Sequence, residues 1–217
     1  YDNCLFASNT LVATSTSATS GGSYALGILG GRPMWATSGY CQNTLRNCTF
    51  DGNVVVPCEA GGVATTLARA LLVSDYTGGT GCDSFVDVKN CTFLGSFAAG
   101  VADIAQAGIS KKTSTIADSI ITLTDADADE LPFNLTDKSR FTVKNCSIKN
   151  MVPQFYPERP VITDGLCYDP IPFERIPFTV LGTDTGWTLP RPAAKVPGIR
   201  KTTDGSVRGA VNALSET

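Results

Sequence analysis

The chain has 217 residues, 42% of them apolar and 17% charged, with a formal net charge of −3. That apolar share can supply a continuous core in one elongated domain, and the charge balance offers no basic footprint for nucleic acid or an anionic membrane. Histidine is absent, which removes Ser-His-Asp triads, Cys-His dyads and histidine-ligated zinc together.

From the amino terminus onward one short phrase returns. It reads Asp2-Asn3-Cys4-Leu5-Phe6, then in degenerate form Tyr24-Ala25-Leu26-Gly27-Ile28, then Arg46-Asn47-Cys48-Thr49-Phe50. A second degenerate copy, Arg69-Ala70-Leu71-Leu72-Val73, precedes Lys89-Asn90-Cys91-Thr92-Phe93. Ala117-Asp118-Ser119-Ile120-Ile121 and Lys144-Asn145-Cys146-Ser147-Ile148 complete the series. The starts at 2, 24, 46, 69, 89, 117 and 144 give intervals of 22, 22, 23, 20, 28 and 27. A period in the low twenties with strand-like patterning predicts a coiling solenoid of about seven coils. The two long intervals predict insertions within 97–115 and 124–140, where a solenoid places protruding loops.

Within a copy the apolar side chains alternate. Val86 and Val88 lead into Lys89-Asn90 and Cys91 and Phe93 follow; Phe141 and Val143 lead into Lys144-Asn145 and Cys146 and Ile148 follow. This reads as strand, two-residue corner, strand. Asn suits the corner because it tolerates left-handed backbone geometry and its amide can bond the backbone or the next Asn. Gly, Asn or Asp follows many copies at Asn9, Gly30, Gly52, Asp75, Gly95 and Asn150. The expected structural ladder is Asn3, Asn47, Asn90, Asp118 and Asn145, with Cys4, Cys48, Cys91 and Cys146 beside it. Over residues 1–151 this pattern resembles the right-handed parallel β-helix of the pectate-lyase-like superfamily, whose coils carry short strands and stacked corner asparagines. The resemblance implies an all-β fold. The stretch Thr203-Asp204-Gly205-Ser206-Val207-Arg208-Gly209-Ala210 is similar to the Asp-Gly…Arg…Gly-Ala ending of secreted bacterial β-helix proteins.

After Asn150 the texture changes. Nine of the 12 prolines lie in 153–197, and proline cannot donate to a strand ladder. Phe155, Tyr156, Phe173, Phe178, Val180, Leu181 and Trp187 nevertheless make the stretch too apolar for a free tail. Residues 152–217 therefore read as an extended arm or cap packed on the chain's own solenoid or on a neighbouring subunit. The sequence begins at Tyr1, inside the first copy and without Met, which is expected of a processed chain or a carboxyl-terminal fragment. No segment has the form of a signal peptide or a membrane span.

Cysteines two coils apart would lie roughly 9–10 Å from one another, beyond disulfide reach. The ladder thiols are accordingly expected to be free and buried, and any disulfides to join Cys41, Cys58, Cys82 and Cys167. Of the Asn-x-Ser/Thr sequons, those at Asn47, Asn90 and Asn145 coincide with the corner; Asn134 is the candidate glycan site. Asp125, Asp127, Asp129 and Glu130 form the densest acidic run. A solvated loop is the simpler account, since the EF-hand glycine and distal glutamate are missing; the run is the one candidate calcium site, and the expected cofactor set is otherwise empty.

The fold resemblance raises catalysis. The hydrolases of the superfamily carry a Gly-His-Gly and an Arg-Ile-Lys segment, and this chain has neither. The lyases need calcium-binding carboxylates on one strand face, where these strands offer Thr, Ser, Leu and Ala with Asp87 isolated. Asp83 and Asp87 are the remaining pair that could flank a glycosidic bond, and no base is in view to activate a cysteine. The expected role is thus non-enzymatic: a structural or surface subunit of an extracellular or virion assembly, associating with itself or with neighbouring subunits. The alternative is a carbohydrate-binding adhesin or tailspike-like module that meets surface polysaccharide near Phe97 and Phe133. A polysaccharide lyase or hydrolase stands behind both.

Overall fold

The computed structural model describes residues 1–12, 25–31, 39–56, 69–75, 82–95, 101–105, 113–123, 133–135, 141–148, 161–164, 173–192 and 209. A first turn of the chain carries Leu5–Ala7 (β1), Thr10–Val12 (β2), Ala25–Gly31 (β3) and Gly39–Arg46 (β4). A second repeats it with Thr49–Asp51 (β5), Val54–Val56 (β6), Arg69–Asp75 (β7) and Cys82–Lys89 (β8). The third holds Thr92–Gly95 (β9), Val101–Ala105 (β10) and Ser114–Ala117 (β11), and the fourth Ile120–Leu123 (β12), Phe133–Leu135 (β13) and Phe141–Lys144 (β14). Ser147–Ile148 (β15) and Val161–Asp164 (β16) begin a fifth, and Phe173–Val180 (β17) with Thr183–Pro192 (β18) make an antiparallel hairpin.

Corresponding strands of successive turns stack in parallel. The first sheet runs β1-β5-β9-β12-β15, the second β3-β7-β10-β13 and the third β4-β8-β11-β14-β16, with β2 and β6 paired separately. The chain visits these sheets in a fixed cyclic order. The described residues are all-β without helix, an arrangement compatible with a β-helix-like solenoid.

The turns differ from the expected seven coils of 22 residues. Thr49 pairs with Leu5 on one side and Thr92 on the other, so the copies at 2, 46 and 89 are next neighbours. The degenerate copies at 24 and 69 belong to β3 and β7, which pair with each other in a different sheet. Turn lengths are therefore 44, 43, 28 and 27 residues (46 − 2, 89 − 46, 117 − 89, 144 − 117). The intervals of 28 and 27 are whole turns, and it is the first two turns that carry extra chain. The misreading has a physical cause: an apolar alternation serves any inward-facing strand, whichever sheet it joins.

Each passage from the third sheet to the first bends at one residue. Asn3, Asn47, Asn90, Asp118 and Asn145 have φ of 52°, 53°, 54°, 50° and 51°. A left-handed residue shifts the inward phase by one, so Leu45, Cys48 and Phe50 all reach the core. Asn and Asp enter this region at lower cost than Ala, by roughly 1 kcal/mol. Replacing Asn90 by Gly should leave stability within about 0.5 kcal/mol, whereas Asn90→Ala should lose roughly 1–2 kcal/mol in urea unfolding. Equal losses for the two variants would mean that backbone geometry is not what selects the corner residue.

The third sheet is buried on one face, with Val86, Val88, Ile116 and Val143 inward and Asp87, Lys89, Thr115 and Lys144 outward. The first sheet is buried on both. Phe50, Phe93, Ile121 and Ile148 fill the interior, and Thr49, Asp51, Thr92, Leu94, Ile120, Thr122 and Ser147 on the opposite face are buried too. Two contacts identify what lies over that face. Arg175 of β17 makes a two-pronged ion pair with Asp51. Gly209 donates its N–H to the Asp118 carbonyl at 2.9 Å and lies against Ile120 and Thr92. Arg175 and Gly209 thus both lie against the first sheet.

Candidate functional site

Cysteine occupies one register position of the first sheet. The backbone ladder runs Thr49 N–H to Cys4 O, Thr92 N–H to Cys48 O, Ile120 N–H to Cys91 O and Ser147 N–H to Ser119 O, at 2.8–2.9 Å. Cys4, Cys48, Cys91, Ser119 and Cys146 therefore sit in five successive rungs. Cys4, Cys48, Cys91 and Cys146 each donate the thiol to the carbonyl two residues earlier, at 3.4, 3.3, 3.4 and 3.1 Å. Repetition of that contact stacks the sulfurs along the solenoid. All four are free thiols; Cys48, Cys91 and Cys146 are buried and Cys4, in the first rung, is half-buried. The expected spacing of two coils between them is corrected: neighbouring parallel strands lie about 4.8 Å apart. The thiols stay unbridged at this spacing because their Cα–Cβ vectors run side by side, whereas a disulfide brings Cβ atoms to about 3.8 Å.

The thiols titrate unequally. The interaction with the Cys91 side chain, helped by the backbone of Cys4 and Arg46, lowers Cys48 to about 6 against the opposing effect of burial. Burial pushes Cys91 well above the ordinary thiol range, and its interaction with Cys48 adds to that.

Side chains at the corner are less regular than the backbone. Asn145 Nδ2 donates to Asp118 Oδ1 at 2.5 Å, and Asn47 Nδ2 to Asp2 Oδ1 at 3.5 Å. Asn90 Oδ1 is buried without a partner. A second polar rung escaped the sequence reading. Asn53, buried after the bend at Gly52 (φ 63°), accepts from Asn9 N–H and Asn9 Nδ2 at 3.0 and 2.8 Å and donates to Phe6 O at 3.1 Å. The signal was present, since Asn9 and Asn53 both stand seven residues after a copy begins (9 − 2, 53 − 46). Inside the same rungs Phe6, Phe50 and Phe93 stack with centroids 4.8 and 4.7 Å apart.

On the outer face of the third sheet Asp87 accepts from Arg46 at 2.5 Å. Asp83 and Asp87 share β8 four residues apart, a Cα separation of roughly 13 Å in extended chain. Cys41 pairs in register with Ser84, and Cys82 with Gly39. The resulting offset sets the Cα atoms of Cys41 and Cys82 about 8 Å apart, beyond disulfide reach. Asn134 and Phe133 fall on β13, which pairs with β10. Asp125, Asp127, Asp129, Glu130, Phe97, Cys58 and Cys167 lie outside the described residues.

No protein-family model, curated protein or solved structure matches the chain. Among the described residues no helix is long and apolar enough to cross a membrane, and no three His, Cys, Asp or Glu side chains gather at one point to hold a metal ion.

Proposed function

We propose that the chain is a non-enzymatic structural or surface subunit of an extracellular or virion assembly, folded as a right-handed parallel β-helix. The carrying observation is an asymmetry between the ends of the first sheet. In the last rungs Cys146, Ser147 and Ile148 are sealed. In the first, Cys4, Leu5 and Phe6 are half-buried and Tyr1 is 56% exposed. Among the described residues β1 is an edge strand of that sheet, and an edge backed by stacked aromatics favours the addition of another strand. The arm offers a second contact, because the groups joining it to the first sheet can be met equally by the same groups of a neighbour.

The test is light scattering on the full chain over a wide concentration range, with negative-stain microscopy of each species. Ordered oligomers are expected, and Leu5→Lys, which sets a charge on the edge strand, should disperse them with the β-type circular dichroism unchanged. A parent chain that stays monomeric throughout defeats the reading. One observation favours a carbohydrate-binding module instead: Trp187 on the hairpin is 49% exposed and could face a sugar ring. Saturable glycan binding by a monomer, lost in Trp187→Ala, would establish that alternative.

A further inference from the structure

The column of corner residues breaks its own pattern at one rung. Asn3, Asn47, Asn90 and Asn145 hold the left-handed position in four corners, and Asp118 holds it in the corner between β11 and β12. Lys89 pairs with Ala117 and Thr92 with Ile120, so Asn90 and Asp118 occupy matching corners of adjacent rungs. Side-chain hydrogen bonds run toward the amino-terminal rungs, from Asn145 Nδ2 to Asp118 Oδ1 at 2.5 Å and from Asn47 Nδ2 to Asp2 Oδ1 at 3.5 Å. The next bond in that direction would run from Asp118 to Asn90, but a carboxylate has no proton to give. Asn90 Oδ1 is accordingly buried without a partner, a state that native structures seldom tolerate.

An amine stands beside that rung. Lys89 Nζ lies 4.0 Å from Asp118 Oδ2, and the Asp118 side chain is only 3% exposed. One carboxyl oxygen is therefore fixed by the Asn145 amide, and the other is next to the lysine. We propose that Lys89 and Asp118 condense to a side-chain amide, a covalent tie between adjacent rungs. Lys89 Nζ passes one proton to Asp118 Oδ2, and its lone pair forms a bond to Cγ. Negative charge gathers on Oδ1, where Asn145 Nδ2 donates. The Cγ–Oδ2 bond then breaks, and Oδ2 leaves as water with that proton and a second from the nitrogen. Rigid strands make the encounter intramolecular, and burial keeps the product from bulk water. The third proton stays on the nitrogen, so the rung beside Asn90 Oδ1 gains the donor that the carboxylate lacks. A plain ion pair leaves that acceptor empty.

The experiment is intact-mass measurement on the folded, reduced full chain, followed by tryptic mapping. The parent is expected one water lighter than its sequence, with no cleavage after Lys89 and one branched peptide that carries both Lys89 and Asp118. Lys89→Arg keeps the charge, and Asp118→Gly keeps the left-handed corner. Each variant should show the full mass of its own sequence. A folded parent of full mass overturns the assignment. So does a water loss that persists in Lys89→Arg, which marks a succinimide at an Asp-Gly pair such as Asp51-Gly52. The branched peptide decides the matter in the parent alone, so the result does not depend on how well either variant folds.

Discussion

Gly209→Ala is expected to be among the most damaging single substitutions in the chain. A Cβ at Gly209 would lie 2.7 Å from Ile120 Cδ1 and 2.8 Å from Thr92 Oγ1, and φ there is 90°. Ile120 and Thr92 are fully buried in adjacent rungs of the first sheet, so neither can withdraw without disturbing the packing above and below. Backbone strain of roughly 1–2 kcal/mol and overpacking of roughly 1–3 kcal/mol together suggest a loss near 3 kcal/mol. For a chain of this size that lowers Tm by roughly 6–12 °C. Release of the last residues should also make the segment after Pro192 an early target in limited proteolysis. Gly182→Ala is the comparison, because Gly182 has φ 76° but nothing within 4 Å of its added Cβ. It should cost only the strain, about 1 kcal/mol. If the two glycine variants melt together, the seat on Thr92 and Ile120 contributes nothing.

The prominence of Gly209 shows where sequence reading succeeds and where it stops. Corner geometry was legible because one residue type recurs at one offset: the left-handed backbone of Asn47, Asn90 and Asn145 calls for Asn, and Asp118 substitutes by the same chemistry. Rung adjacency was not, because Leu71 and Phe50 alternate alike although β7 and β5 belong to different sheets. Only backbone pairing separates a half-turn from a whole one. The covering of the first sheet was hidden for a different reason. Thr49, Asp51, Thr92 and Thr122 are polar and read as a solvated face, yet all are buried. Asp51 can be buried because a distant segment brings it a partner, Arg175, across 124 residues. Such a contact leaves no local trace in composition. The cysteines recur at one offset in the sequence, but only backbone pairing shows that Cys4, Cys48 and Cys91 stand in adjacent rungs.

Arg175→Ala is expected to loosen the hairpin and to destabilise the whole chain. Asp51 is 7% exposed in the first sheet, and both of its oxygens are held by the Arg175 guanidinium. Truncating the arginine leaves a buried carboxylate without a counter-ion. Such losses reach about 3–5 kcal/mol for enclosed pairs. Here the Arg175 side chain is 48% exposed and water screens part of the charge, so roughly 2 kcal/mol is the expected cost. Asp51→Leu removes the charge along with the pair and should cost less, because the position lies among buried neighbours. The double variant should be no worse than Arg175→Ala alone, a non-additivity of about 1 kcal/mol or more. Urea unfolding of the four chains measures this cycle. Strict additivity would mean that the ion pair does not hold the arm. Repeating the cycle at protein concentrations a hundredfold apart separates two ways of closing the same contact. A clasp within one chain gives unfolding midpoints that do not depend on concentration. An arm traded between subunits gives midpoints that rise with concentration in the parent and lose that dependence in Arg175→Ala, because the contact being removed is then the one that joins the subunits.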